Sequence, residues 1–184
     1  MKKLIIFDCF GVIFDEVAPP FIRKYLPEKE AAELKEKLFV PADRGEISYE
    51  QLLENMAEAL GLEKEEMIMQ WNSLFRLREE IVPYIERLKE KNKIALLSNA
   101  PEGVVEKLFK KHDLERLFDK MVISSQIRMA KPDNEIYQYC VSLFEENFEE
   151  IYMIDDNLKN LEKLSEIGIK PIHYKGTESL KIFF

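Results

Sequence analysis

The sequence predicts an α/β protein: a doubly wound parallel sheet with a small all-helical segment inserted near its start. Three observations carry this. Short apolar runs recur at residues 4–7, 94–97, 121–123 and 151–154, with 171–174 as a fifth candidate. Each is continuous rather than alternating, the pattern of strands buried on both faces. Helical stripes lie between them, and alternation of strand and helix is the mark of a parallel sheet. Residues from about 15 to 81 interrupt that alternation and contain no convincing strand. The expected division is therefore 1–14 with 82–184 as the α/β core, and 15–81 as the helical insert.

The first run, Leu4-Ile5-Ile6-Phe7, ends in Asp8, and Gly11 follows three positions later. A strand that ends this way delivers its carboxylate to the carboxyl edge of the sheet. At its unperturbed pKa of about 3.9 the group is ionised at neutral pH. In the insert, Ser48 and Gln51 form the S-x-x-Q pattern of a capping box. Leu52, Leu53, Met56, Ala57 and Leu60 then form one apolar stripe, closed by Gly61. Met67, Ile68, Trp71, Leu74 and Phe75 form another, and packing accounts for both. After the second strand, Pro101 suits a first helical turn, with Val104, Val105, Leu108 and Phe109 on one face and Lys110-Lys111 near the end. Ile136, Tyr137, Cys140, Val141 and Phe144 make the next stripe. Leu158, Leu161, Leu164 and Ile167 make a third, with Gly168 where a helix C′ glycine belongs.

A length of 184 residues suits one domain with a modest insert. Apolar residues at 46% and charged residues at 34% describe an ordinary globular chain. The formal charge of -8 argues against nucleic acid or an anionic membrane as a partner, and means that any phosphate needs a local cation. Cys9 and Cys140 show no metal-ligand spacing and are expected to be reduced, buried thiols of a cytoplasmic protein. The apolar run that opens the chain is cut short by Asp8, too early for a signal peptide. No stretch approaches the roughly 20 apolar residues of a membrane span. Oligomeric state leaves no mark on the sequence.

Four polar signals follow four of the strands: Asp8, Ser98-Asn99, Lys131-Pro132 and Asp155-Asp156. Each has an ordinary explanation alone. Ser98 or Asn99 can cap the helix near Pro101, Asp156 can cap the next helix, Lys131 can be a solvated loop lysine and Asp8 a turn former. A parallel sheet would bring all four to one edge, where together they describe a phosphoryl-transfer site. Asp8 would attack phosphorus. Ser98 and the Asn99 backbone N–H would hold phosphate oxygens. Lys131 would offset the charge of nucleophile and phosphate, and Asp155 with Asp156 would hold Mg²⁺, a hard cation that prefers oxygen ligands. A dianionic phosphate cannot approach so many carboxylates without a metal ion.

These motifs resemble the haloacid dehalogenase-like hydrolase superfamily along the whole chain. Phe7-Asp8 to Val12, Leu97-Ser98-Asn99, Lys131-Pro132, and Asp155-Asp156 to Asn160 stand in the family's order. The resemblance implies a Rossmann-like core and makes the helical insert a small cap. Gly45-Glu46-Ile47-Ser48 and the helix after it are similar to caps of sugar-phosphate phosphatases in this group. It further implies Mg²⁺ held by Asp8, the backbone carbonyl of Phe10 and Asp156, with Asp155 direct or supporting and Asn160 supporting the site. The implied partner is a small phosphorylated metabolite. Arg23 and Arg44 are cap arginines able to reach it, although surface roles are commoner for such residues.

Phe10 departs from the family pattern. Many phosphatases of this family carry an aspartate there, as acid for the leaving alcohol and then base for water. Such help is typically worth 10²–10⁴-fold. Three readings follow: a phosphatase, slow or confined to good leaving groups; a catalytically impaired protein that binds a phosphorylated ligand; or a metal-independent 2-haloacid dehalogenase, whose halide leaves without a proton. The retained pair Asp155-Asp156 favours the first over the third. Asp15 or a residue of the cap is the alternative source of a base.

Overall fold

The computed structural model describes residues 2–184. Five strands, β1 (Leu4–Phe7), β2 (Lys93–Ser98), β3 (Lys120–Ile123), β4 (Ile151–Asp155) and β5 (Ile169–His173), form one parallel sheet in the order β3-β2-β1-β4-β5. Phe7 pairs with Leu96 on one side and Ile154 on the other, so β1 is central and fully buried. The chain runs outward from β1 through β2 to β3, then returns to the opposite side of β1 for β4 and β5. Such a reversal opens a crevice beyond the carboxyl ends of the strands.

Among the described residues, eight α-helices accompany the sheet: α1 (Ala18–Ile22), α2 (Glu28–Asp43), α3 (Tyr49–Leu60), α4 (Lys64–Asn72), α5 (Val82–Lys89), α6 (Val104–Lys111), α7 (Ser124–Ile127) and α8 (Asn134–Ser142). Alternate side chains of a strand point to opposite faces. Ile5 and Phe7 accordingly join Ile85 and Leu88 of α5 and Val105 and Phe109 of α6. Leu4 and Ile6 join Ile136, Tyr137 and Cys140 of α8 on the other face. Both cysteines are free and buried, and burial pushes the Cys140 thiol up to about 12.

Two expected helices differ. The stripe at residues 158–167 is not an α-helix but two short 3₁₀ turns, Leu158–Asn160 and Leu164–Ile167. The cause is local. The Asn157 side chain accepts from the Lys159 N–H, and the Asn160 amide is drawn back to Asp155, so the chain follows its polar groups instead of a regular helix. The helix after β2 begins at Val104 rather than at Pro101, because Gly103 turns left-handed first.

Helices α1–α4 enclose a cluster of their own around Trp71, which lies within ring-to-ring distances of 5.4 Å from Phe21 and 5.8 Å from Phe39 and Phe75. The Trp71 indole N–H donates to the Tyr49 hydroxyl at 2.8 Å. The Ser48–Gln51 capping box is formed in both directions at the start of α3. The chain enters and leaves these helices through a short antiparallel pairing: the Asp15 N–H donates to Arg76 O and the Arg78 N–H to Ile13 O. Across the seam, the Phe10 ring packs against Phe75 at 5.9 Å. At the far end of α2, Arg44 pairs with Asp133 at 2.7 Å. Gly45, with φ +68°, lies so close to the Ser125 carbonyl that an added Cβ would sit 2.5 Å from its oxygen.

Trp71 is the only tryptophan and therefore reports on the helical insert alone. Phe21→Ala opens a cavity beside it and should cost about 3–5 kcal/mol. The expected outcome is a lower urea midpoint, with red-shifted Trp71 fluorescence at denaturant concentrations the wild-type protein withstands.

Candidate active site

The carboxyl edge of the sheet gathers the four motifs. Asp8 follows β1 directly, its N–H bonded to Ile154 O at 2.9 Å. Asp155 ends β4 and is fully buried. Lys131 follows α7 and places its ammonium between them, 2.8 Å from Asp8 Oδ1 and 2.7 Å from Asp155 Oδ2. Asn99 sets the loop that carries it: Nδ2 donates to Lys131 O at 2.9 Å, and Oδ1 accepts the Lys131 N–H at 2.8 Å. The Asn99 side chain is thus a clamp on Lys131. Ser98 ends β2 fully buried, with a hydroxyl that has no hydrogen-bond partner among the described residues. A buried hydroxyl left unpaired is costly and is free to serve a ligand.

The carboxylates divide their work. Asp155 accepts from Lys131, from the Asn157 N–H at 2.8 Å and from both contacts of the Asn160 amide, at 3.1 and 3.0 Å. Asn160 is itself fixed by the Tyr137 hydroxyl, which donates to its carbonyl at 2.6 Å. Asp156 forms no ion pair among the described residues, and its carboxylate overhangs Gly11. A Cβ on Gly11 would lie 2.2 Å from the Asp156 carboxyl carbon, and its φ of +83° disfavours any side chain. Asp8, Asp155 and Asp156 each offer an oxygen within 4.8 Å of the others. Three converging oxygens, one of them unpaired, fit a hard divalent cation.

Charge confirms the crowding. Burial and then the neighbouring Asp155 raise Asp8 well above the usual carboxylate range, against the pull of Lys131. The protein environment therefore moves Asp8 away from the free-aspartate value taken from sequence. Burial and Asp155 also raise Asp156. Burial disfavours the charge on Lys131, but Asp155 and Asp8 outweigh it and keep the ammonium protonated.

Phe10 is half-buried, its ring turned to Phe75. Of the two arginines of the helical insert singled out from sequence, Arg23 is paired with Glu28 on the surface and Arg44 with Asp133. Sequence reasoning missed Arg78, which donates to Gly11 O at 2.6 Å and to Asp15 Oδ1 at 2.9 Å. It also missed Glu16 and Asp43, whose carboxyls are raised by burial and feel the charge of Lys131. These residues lie outside every motif, and only the fold brings them near.

A family model described as haloacid dehalogenase-like hydrolase matches residues 2–168. The chain belongs to that family. Among similar proteins, the phosphorylated carbohydrates phosphatase of Thermotoga maritima is 24% identical over 184 residues, covering 93% of this chain and 84% of that one. The drimenol cyclase drtB of Aspergillus calidoustus is 25% identical over 98% of this chain, which spans only 35% of the cyclase's length. Family enzyme bt-2542 of Bacteroides thetaiotaomicron superposes with a TM-score of 0.82 at 23% identity, covering 100% of this chain and 98% of that one. The same enzyme has been solved in complex with magnesium and inorganic phosphate, with a TM-score of 0.78 at 21% identity and full coverage of both chains. L-2-haloacid dehalogenase from Xanthobacter autotrophicus superposes at 0.67 with 20% identity, covering 98% of this chain and 81% of that one. The structural likenesses establish the shared haloacid dehalogenase-like fold.

Two variants test this family member's site. Gly11→Ala should displace Asp156 and weaken Mg²⁺ binding at least 10-fold in calorimetric titration, with an unchanged far-ultraviolet spectrum. Lys131→Met leaves two buried carboxylates without their cation and should cost about 3–5 kcal/mol at neutral pH. Asp8 then has a folded pKa further above its unfolded value of 3.8, so the folded state binds the extra proton. Stability gained from that proton is present at low pH and lost as pH rises. Thermal melts should show the deficit of the variant shrinking from pH 7.5 to pH 5.

Proposed function

We propose that this protein is a Mg²⁺-dependent phosphatase of the haloacid dehalogenase-like family, acting on a small phosphate ester through an aspartyl-phosphate on Asp8. The observation that carries this reading is the free Asp156 carboxylate held over Gly11 beside the Lys131-bridged pair Asp8 and Asp155. When bound, Mg²⁺ would neutralise phosphate charge and help hold Asp8 ionised, with Asp8, Asp156 and the Phe10 backbone carbonyl as ligands and Asp155 as direct or supporting ligand. The protein's own groups do the rest. Asp8 presents its oxygen from the rigid end of β1. Ser98 and the Asn99 N–H receive phosphate oxygens, and Lys131 offsets charge as the ester is attacked. Asn160 and Asn157 keep the Asp155 carboxylate from turning away from Lys131.

Residues 15–81 act as a cap over this crevice, held down by Phe10–Phe75 and Arg44–Asp133. Closure limits water around the phosphoryl group. The substrate class we favour is a phosphorylated carbohydrate, supported by the Thermotoga relative. Phe10 gives the leaving group no proton, so turnover is slow unless a carboxylate elsewhere takes that part.

The family also contains dehalogenases, and the measurement separates the chemistries. Purified protein should release phosphate from sugar phosphates in Mg²⁺, lose activity in excess chelator, and be inactive as Asp8→Asn. Halide release from 2-chloropropionate that survives chelator would remove the phosphatase reading.

A further inference from the structure

Since Phe10 cannot move a proton, the question is which group can. Three carboxylates beyond Asp8, Asp155 and Asp156 belong to the segments that crowd the site from the insert side: Asp15, Glu16 and Asp43. Arg78 holds Asp15 at 2.9 Å, so that carboxylate is already engaged in an ion pair. Glu16 is paired with Lys35 at 3.9 Å; burial raises its carboxyl, Lys35 opposes the rise, and the charges of Asp156, Lys131 and Asp155 also act on it. Asp43 is half-buried and has no ion pair or side-chain hydrogen bond among the described residues.

Asp43 is also firmly placed. It ends α2, where the next residue, Arg44, is bonded to Asp133 at 2.7 Å and Gly45 is seated on the Ser125 carbonyl. Asp133 lies two positions after Lys131, so the contact fastens this end of α2 to the loop that carries the site's ammonium. Lys131 is near enough for its charge to act on Asp43, as are Lys35 and Glu16.

We propose that Asp43 donates the proton to the leaving alcohol and then accepts one from the hydrolytic water. The role rests on the phosphatase reading above. In the first step an Asp8 oxygen bonds to phosphorus, the bond from phosphorus to the ester oxygen breaks, and its electron pair takes the Asp43 proton to release the alcohol. In the second, water gives its proton to the Asp43 carboxylate as its oxygen bonds to phosphorus. The bond from phosphorus to Asp8 breaks, and both carboxyl groups return to their starting states. Burial raises Asp43 to about 7, with Lys35 and Lys131 opposing and Glu16 adding to the rise. A group so poised at neutral pH serves both steps.

The test compares Asp43→Asn, Glu16→Gln and Phe10→Asp with the wild-type protein in Mg²⁺. Asp43→Asn should lower kcat on an alkyl phosphate about 100-fold or more. It should keep Mg²⁺ and fluoroberyllate binding, and lose the neutral inflection of the pH profile. With p-nitrophenyl phosphate, whose leaving group needs no proton, it should release a burst of nitrophenol and then turn over slowly. Glu16→Gln should stay within a few-fold of wild type, and Phe10→Asp should gain little. Carbon-13 titration of the Asp43 carboxyl should show a midpoint near neutrality. Wild-type rates and pH profile in Asp43→Asn, a slow Glu16→Gln, or an Asp43 carboxyl that titrates with ordinary aspartates would each overturn the assignment while leaving the phosphatase standing. No hydrolysis of any phosphate ester by the wild-type protein would instead remove the phosphatase reading, and this role with it.

Discussion

One ammonium organises the edge of this sheet. Lys131 reaches from the segment after α7 to Asp8 at the end of β1 and Asp155 at the end of β4. Carboxylates so close repel each other strongly once removed from water. Without a cation between them, two strands that both end in a buried acid carry a large penalty. Burying the lysine is itself unfavourable, and the geometry offsets that cost through two short contacts and the Asn99 clamp on its backbone. The arrangement is better understood as a device for position than for stability. It fixes the direction of the Asp8 carboxylate before any substrate arrives.

The strands were legible because a strand covered on both faces must be apolar at every position, and residues 4–7, 94–97 and 151–154 are. Asp8, Ser98, Asn99, Asp155 and Asp156 were legible because each ends or follows such a strand, and a parallel sheet sends all of those ends to one side, whereas Lys131 arrives from the segment after α7. The insert announced itself through Ser48, Gln51 and its stripes. The stripe at 158–167 misled, since leucines at helical spacing do not outweigh Asn157 and Asn160 bonded back to Asp155. Pro101 misled more mildly, because Gly103 delays the helix. Arg78 was invisible: its carbonyl partner is Gly11, 67 residues away, and nothing local marks the pairing. Asp43 belongs to no motif and to no stripe read from the sequence, so nothing local marked it.

Phe10 is where sequence and structure speak to different questions. From sequence it is a missing carboxyl group. In space it is an apolar contact with Phe75 that joins the packing under β1 to the packing around Trp71. An aspartate at that position would bring charge into the seam and lose the ring contact. The side chain that stands in place of an acid therefore adds cohesion between the two clusters.

The chain crosses into the helical insert and back through segments that are hydrogen-bonded neighbours, with Phe14 opposite Leu77. The ends of the insert are thus about one strand spacing apart, roughly 5 Å. Whatever lies between them closes a loop whose entropy depends only weakly on its length. A shorter, longer or unrelated insert would meet the sheet through the same two-rung ladder, leaving β1 and the carboxylates at its edge undisturbed. In evolutionary terms the ladder is a socket. The core can keep one reaction while the plugged-in piece is exchanged wholesale, and new specificities can be gained by recombination as readily as by point mutation.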